Sequence, residues 1–229
     1  KKLNLQNISL EADANIGLDL YSIQGRPSTD NNDNRYVDRI SSGFSIAASN
    51  QYGFVTDITS FIVEPKIQFS SVFSSNRTDE VPNRDSAEFR LDQANLFLNN
   101  QFQGRDNIQE SDRINLGITS LIMTESLGDI NFFIGQSQKI SGTQKNVTLA
   151  NEDRQSHIIN SIDWNPSEMY KFSWFSLYNH HNFKSDTSDF NFNGSLNGWS
   201  YSANHRSVNG EFISNNIDME ELNLGFSKN

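Results

Sequence analysis

Alternation of apolar and polar residues over positions 8–20 limits the fold of this chain more than any other feature. The even positions carry Ile, Leu or Ala, and the odd positions carry Ser, Glu, Asp, Asn or Gly. A period of two places successive side chains on opposite faces of a β-strand. The run is longer than the roughly 5–6 residues of an ordinary strand. It suits a tilted strand that crosses a bilayer, which needs about 9–11 residues.

Similar segments recur to the end of the sequence, and they predict ten strands. Their marker residues span 8–20, 36–49, 55–73, 114–122, 130–134, 157–164, 170–178, 190–196, 199–203 and 222–226. Tight turns are predicted at 50–53, 126–129, 165–168 and 197–198, and longer polar connections at 24–35, 74–113, 141–156, 184–188 and 208–216. Short and long connections therefore alternate, as they do in outer-membrane barrels with short periplasmic turns and longer extracellular loops.

Composition leaves two fold classes open, a soluble β-sandwich and a barrel with a lipid-facing exterior. The mean hydropathy of −0.61 is low for a folded chain, but 17 Phe, 6 Tyr and 3 Trp argue against disorder. Strand length and loop alternation favour the barrel. We therefore predict an all-β fold: an antiparallel up-and-down meander of about ten long strands, a segment of a large transmembrane β-barrel. Residues 1–229 are expected to form a single region, with a long loop of extracellular type at about 74–113.

The barrel interpretation assigns a face to each side chain. Apolar residues would face lipid and the polar set would line a wet lumen; on the first and third strands this polar set is Glu11, Asp13, Asp19, Glu64 and Lys66. Aromatic residues close to the turns at 165–168 and 197–198 are predicted to form a girdle at headgroup depth, where an apolar ring with a polar tip is favoured. This girdle would comprise Tyr170, Phe172, Trp174, Trp199 and Tyr201.

A set of short motifs within 64–117 is the most specific feature of the sequence. In order, they contain Glu64, Pro65, Pro82, Asp85, Ser86, Asn95, Leu96, Phe97, Phe102, Gly104, Asp106, Arg113 and Gly117. Their order resembles the barrel domain of the LptD family, the lipopolysaccharide-assembly outer-membrane proteins also called organic solvent tolerance proteins. Asn107 stands where the family usually has Arg. The paired acids in the loop have no catalytic partner in view, so we interpret the motif as a structural marker. Leu96 and Phe97 suggest that it packs, as a cap on the barrel mouth.

The resemblance implies a transport role. Members of this family are large barrels in the outer membrane of Gram-negative bacteria, plugged by the lipoprotein LptE. They receive lipopolysaccharide from periplasmic bridge proteins and release it into the outer leaflet through a seam between the first and last strands. Lipopolysaccharide, outer-membrane lipids, LptE and the bridge proteins are therefore the expected partners. Ten strands are too few for the complete barrel, so the chain is expected to be a central fragment that lacks the periplasmic domain and both seam strands.

The sequence predicts no enzyme, cofactor or metal site. His180 and His181, adjacent at the end of a strand, are expected to point to opposite faces and so not to share a metal ion. The net charge of −10 argues against nucleic acid as a partner. The absence of cysteine leaves no disulfide and no redox-dependent assembly step. Two other functions stay open at this point: another outer-membrane porin or substrate channel, and a secreted β-sandwich that binds glycans.

Overall fold

The computed structural model describes residues 2–5, 8–24, 34–75, 87–88, 90–100, 102–103, 106, 108, 110–142, 154–210 and 217–228. In these ranges the regular secondary structure is β-strand. No helix in the described part of the chain is long and apolar enough to span a membrane.

Fourteen strands follow one another along the described ranges. They are β1 (Lys2–Leu5), β2 (Ile8–Gln24), β3 (Asn34–Asn50), β4 (Tyr52–Val55), β5 (Thr59–Ser74), β6 (Ala87–Glu88), β7 (Phe102–Gln103), β8 (Ser111–Thr124), β9 (Gly128–Ser141), β10 (Ile158–Ser167), β11 (Tyr170–Tyr178), β12 (Ser185–Leu196), β13 (Trp199–Val208) and β14 (Met219–Lys228).

One antiparallel sheet contains all of these strands except β6 and β7, which form a separate two-stranded pair. The order in the large sheet is β1-β2-β3-β5-β8-β9-β10-β11-β12-β13-β14, with β4 also paired to β5. Each long strand therefore lies next to its neighbours in sequence. The sheet is open, as expected for a segment of a barrel wall, and the predicted meander is confirmed.

The turn predicted at 50–53 is wrong, because the strand continues through these residues. Ser49 pairs with Lys66, and three residues further on Tyr52 pairs with Val63, so the register against β5 does not change between β3 and β4. Pairing with β5 is interrupted at residues 50 and 51, opposite Pro65 and Glu64. Pro65 has no backbone N–H to donate. The chain turns at residues 56–58, where the Thr56 N–H donates to the Thr59 carbonyl oxygen at 2.8 Å.

The other short turns lie within two or three residues of their predicted positions. They occupy 125–127, 168–169 and 197–198, and the second follows β10, which runs through the predicted turn as far as Ser167. Asn197 and Gly198 both have positive φ, 52° and 77°, as a two-residue type I′ hairpin turn requires. Together with 56–58, these turns lie at one end of the sheet. The strand ends that the longer connections join lie at the other end, so the predicted alternation is present.

The two faces of the sheet differ in polarity, as the period of two in the sequence dictates. On one face, large apolar side chains are exposed: Ile16, Leu18, Leu20, Ile40, Phe44, Ile46, Ile67, Phe69, Leu116, Ile118, Leu222, Leu224 and Phe226. On the opposite face, polar side chains are buried, among them Arg39, Ser45, Gln68, Ser70, Arg113, Asn115 and Ser137. We call these the apolar face and the polar face. This distribution is the reverse of that in a water-soluble domain.

Aromatic rings gather on the apolar face near the short turns. Trp164 stacks on Phe172 with ring centroids 5.0 Å apart, and Trp199 stacks on Phe226 at 4.5 Å. The Trp164 indole N–H also donates to the carbonyl oxygen of Leu127 in the neighbouring turn at 2.7 Å. Aromatic rings that combine an apolar body with a polar group are typical of a membrane–water boundary. Their position at headgroup depth stays a prediction.

Candidate functional site

Residues 90–99, part of the long connection between β5 and β8, lie against the polar face of the sheet. We call them the inserted segment. Leu91 and Leu96 are buried in a cluster with Phe133 of β9, Ile159 of β10 and Leu177 of β11. This cluster is the main apolar core among the described residues. The segment therefore packs against the sheet and reaches mid-strand positions. The sequence predicted that Leu96 and Phe97 pack; that the segment caps the mouth of a barrel stays a prediction.

A turn closed by two polar side chains shapes the inserted segment. The Asp92 carboxylate accepts hydrogen bonds from the backbone N–H groups of Ala94 and Asn95, at 2.8 and 3.0 Å. The Asn95 side chain accepts from the Asp92 N–H and donates to the Arg90 carbonyl oxygen, both at 2.8 Å. Asp and Asn favour turns because their side chains satisfy nearby backbone groups in this way. The turn thus presents Leu91 and Leu96 to the sheet.

Two glycines allow the inserted segment to approach the strands closely. A Cβ atom on Gly135 would lie 2.6 Å from Leu96 Cδ2, and one on Gly117 would lie 2.9 Å from Phe97 Cζ. Both distances are shorter than real carbon contacts, so a larger residue would displace the segment. Gly117, singled out by the sequence motif, therefore supplies space for Phe97.

Arg113 of β8 holds the backbone of the segment from one side. Its guanidinium donates to the carbonyl oxygens of Leu98 and Asn99, at 3.4 and 2.5 Å. The side chain is almost fully buried. Burial of a charge costs free energy that hydrogen bonds offset in part, and these two bonds join the inserted segment to β8.

Arg39 of β3 makes a similar contact further along the connection and is also fully buried. It donates to the carbonyl oxygen of Asp106, to the Asp19 carboxylate at 2.7 Å and to the Tyr21 hydroxyl at 2.8 Å. Burial of the guanidinium costs desolvation free energy, and the ion pair with Asp19 offsets part of that cost. Arg39 therefore ties the connection to β2 and β3.

A chain of buried amides continues this contact across the polar face. Gln68 of β5 donates to the Phe97 carbonyl oxygen at 2.8 Å. The Gln68 side-chain oxygen accepts from Asn115 of β8 at 2.8 Å, and Asn115 accepts from Ser137 of β9 at 2.6 Å. A fully connected network of this kind fixes one arrangement of its members, because each broken bond leaves a buried polar atom unpaired.

At its amino-terminal end, the inserted segment reaches β11 and β12. Arg90 forms an ion pair with Asp189, and its guanidinium carbon lies 3.9 Å from the centre of the Phe175 ring. Both side chains of the ion pair keep some exposure to solvent, so the pair contributes less than the buried contacts do. The segment thus bridges strands from β2 to β12 across the polar face.

The motif residues predicted from the sequence divide into three groups. Asn95, Leu96, Phe97, Asp106, Arg113 and Gly117 take part in the contacts above, whereas Glu64 and Pro65 lie on β5. Pro82, Asp85, Ser86 and Gly104 lie outside the described residues, as does the side chain of Phe102. Sequence reasoning missed Arg39, Arg90, Gln68 and Asn115. Arg39 and Gln68 are marked in the sequence only by their polar-face positions. Arg90 lies in the connection itself, and Asn115 lies within the motif that ends at Gly117.

The polar residues predicted for a lumen all lie on the polar face. Lys66 Nζ lies 3.3 Å from the Glu11 carboxylate, and the Asp13 carboxylate accepts from the Asn99 side chain at 3.0 Å. Asp19 binds Arg39. Glu64 is two residues from Lys66 on the same strand and therefore points to the same side.

The histidines form no metal site among the described residues. His180 and His181 lie beyond the end of β11, in a turn, with ring centroids 3.8 Å apart. The expectation that they point to opposite faces is therefore wrong, because the strand ends at Tyr178 and alternation no longer applies. His157, just before β10, pairs with Asp186 near the start of β12 at 2.6 Å in a buried contact that spans β11.

Comparison with known families agrees with this architecture. The chain matches the family LptD, LPS transport system D, over residues 2–227, which is nearly its whole length. The chain belongs to the LptD family. This family serves lipopolysaccharide transport and assembly at the outer membrane of Gram-negative bacteria. No curated protein matches the chain. Of the motif residues that resemble this family, Asn95, Leu96 and Phe97 lie in the inserted segment, and Arg113 and Gly117 lie on β8.

Proposed function

We propose that this chain is part of the outer-membrane translocon that inserts lipopolysaccharide into the outer leaflet. In this proposal the strands form one region of the barrel wall. The polar face lines the path of the sugar portion of the cargo, and the apolar face contacts outer-membrane lipids. The plug lipoprotein LptE and the periplasmic bridge proteins are the proposed partners, and membership of the LptD family supports them.

The reversed polarity of the sheet is the observation that carries the proposal. Ile16, Leu18 and Leu20 on β2 are 82%, 66% and 77% exposed. An apolar stripe of this length in water would be an aggregation site, whereas in a bilayer it is stabilising. The polar face, by contrast, has a connected set of hydrogen bonds and ion pairs. A glycan-binding sandwich would bury the apolar face, so the geometry disfavours that alternative.

The inserted segment fits a stationary part of such a translocon. It is held by the buried Arg113, by Gln68 and by the Leu96 cluster. Several buried contacts of this kind must break together for the segment to leave. We therefore propose that it narrows the space inside the wall and shapes the cargo path, with no catalytic step.

Conditional depletion tests the proposal. The gene encoding the complete protein is placed under a repressible promoter in its own host, and newly made lipopolysaccharide is pulse-labelled. We expect labelled lipopolysaccharide to stop reaching the cell surface on depletion and to recover with a plasmid copy. Unchanged surface delivery after depletion would refute the proposal.

A porin or substrate channel is the second candidate, and the inserted segment is the observation that favours it, since a loop folded inside the wall also narrows a pore. Single-channel conductance of the complete protein separates the two. A translocon whose lumen is filled should conduct little, whereas a porin should give stable open steps.

A further inference from the structure

We infer that a notch in the apolar face binds an ester-linked acyl chain of a phospholipid from the periplasmic leaflet. The inference rests on the part of the proposed function that places this face in the membrane. The notch has a volume of about 510 Å³, within the roughly 300–1,000 Å³ range of ligand pockets. Its lining includes Ala48 and Asn50 of β3, Tyr52 of β4, Pro65 and Ile67 of β5, and Leu116 of β8.

The register of the strands explains the shape of the notch. Ala48 lies opposite Ile67, and Ile67 lies opposite Leu116, so a small side chain stands at one end of a row of larger ones. In the next row towards the short turns, the compact ring of Pro65 interrupts the pairing with β3. Beyond it, the side chain of Tyr52, which is 51% exposed, borders the notch. Small residues thus lie between larger ones on a face that is otherwise densely apolar.

The notch presents no charge to a ligand. Among the described residues that line it, Lys66 is the charged one, and its Nζ lies on the polar face 3.3 Å from the Glu11 carboxylate. A phosphate group would therefore find no cation in the notch, whereas an acyl chain would find aliphatic side chains to pack against. An acyl chain gains no hydrophobic free energy when it leaves other chains for a protein surface in the bilayer. Selective binding must therefore come from the shape of the notch and from polar contacts.

Asn50 supplies a polar group at the edge of the notch. Its side-chain oxygen is buried and has no hydrogen-bond partner in the described part of the chain. The two ends of an amide point away from each other, so the Asn50 N–H groups are left to face the notch. An unsatisfied amide in hydrocarbon costs free energy, and hydrogen bonds to a ligand would offset part of it. The Asn50 N–H groups and the Tyr52 hydroxyl can both donate, and the ester carbonyl oxygens of a phospholipid accept.

The position of these donors sets the direction of the lipid. From Ala48 through Asn50 to Tyr52, the chain runs towards the turn at 56–58, which belongs to the short-turn end of the sheet. Short turns lie on the periplasmic side of outer-membrane barrels. A lipid with its ester groups at Asn50 and Tyr52 would extend its chain past Ala48 and Ile67, away from the periplasm. This is the orientation of a phospholipid in the periplasmic leaflet.

A filled notch tests the inference against a matched control on the same face. Ala48→Phe places a ring in the notch, whereas Ala14→Phe places one at an exposed position of β2 outside it. The complete protein in detergent is freed of lipid and titrated with dioleoylphosphatidylethanolamine, and bound lipid is counted by native mass spectrometry. We expect the parent and Ala14→Phe to bind one lipid more tightly than any further lipid. Ala48→Phe should bind this first lipid roughly tenfold more weakly or worse. Equal first-lipid affinity in the two variants would overturn the inference.

Asn50→Leu tests the polar contact with little change in bulk. The second probe is the ether-linked analogue of the same lipid, which lacks the carbonyl oxygens. The parent should bind the ester-linked lipid about 2- to 10-fold more tightly than the analogue, the range expected for a hydrogen bond. Asn50→Leu should bind the two lipids about equally. No preference in the parent, or the same preference in Asn50→Leu, would contradict the role of Asn50.

Lipopolysaccharide is the other membrane lipid with ester-linked chains, and competition distinguishes it. At equal concentration, we expect it to leave the first phosphatidylethanolamine bound to most of the protein. Displacement of that lipid would overturn the choice of a phospholipid as the occupant. The inference can fail while the proposed function holds, because depletion of the protein measures surface delivery of lipopolysaccharide whatever the notch binds.

Discussion

Truncation of Leu96 should release the inserted segment from the polar face. Leu96 is fully buried among Leu91, Phe133, Ile159 and Leu177. Replacement of a buried Leu by Ala costs about 2–5 kcal/mol. If this free energy is lost from docking of the segment, the equilibrium constant for its release from the sheet rises by about 30-fold to several thousand-fold, since about 1.4 kcal/mol corresponds to a factor of ten.

Hydrogen exchange measures that opening directly. The Leu96 N–H donates to the Asp92 carbonyl oxygen at 3.0 Å, and the Leu98 N–H donates to that of Asn95 at 3.1 Å. Both amides should lose protection in the Leu96→Ala protein by the factor given above, while β8 and β9 stay protected. Leu98→Ala is the matched control, because Leu98 is 47% exposed and its truncation should cost less than about 1 kcal/mol. Equal loss of protection in the two variants would refute the packing argument.

Three further substitutions test other contacts of the wall. Arg113→Met should weaken docking of the segment by about 1.5–3 kcal/mol, since it removes charged donors to two carbonyl oxygens; exchange rates at 96–98 as slow as in the parent would contradict this. Gly117→Ala should lower the free energy of unfolding in urea by about 1–3 kcal/mol because it displaces Phe97. Gly53→Ala is the control in that assay and should be near neutral, because its Cβ would meet no atom within 4 Å. Gly198→Ala should destabilise its hairpin by about 1 kcal/mol because Gly198 has φ +77°, and unchanged unfolding would show that the turn relaxes freely.

The strands could be predicted because their signal is local. Alternation in β2 places Ile16 and Asp19 on opposite faces whatever the rest of the chain does. A turn was predicted at 50–53 because an Asn and a Gly close together are typical of turns, but the strand continues there. The conformation of residues 50–53 is determined by pairing with β5, in which Tyr52 lies opposite Val63 in unchanged register. That information is long-range and is absent from the four residues themselves.

The site was harder to predict than the fold. The motif identified Leu96 and Phe97 as packed residues, but their partners on β9, β10 and β11 are distant in sequence. Arg39 carried no signal, since a charged residue at a polar-face position is expected to be solvated. Only the structure shows that the connection covers it and turns it into an anchor. Likewise, the contact between the rings of His180 and His181 depends on where β11 ends, and the sequence does not locate strand ends to the residue.

The candidate site depends on the inserted segment lying against the polar face of the sheet. A double variant, Leu96→Cys with Ile159→Cys, measures this contact directly. This chain has no cysteine of its own, so the introduced thiols are the only ones in it. In intact cells, dibromobimane should crosslink the pair and become fluorescent, while each single variant should not. Thiols that react separately with maleimide but never crosslink would show that the segment lies elsewhere.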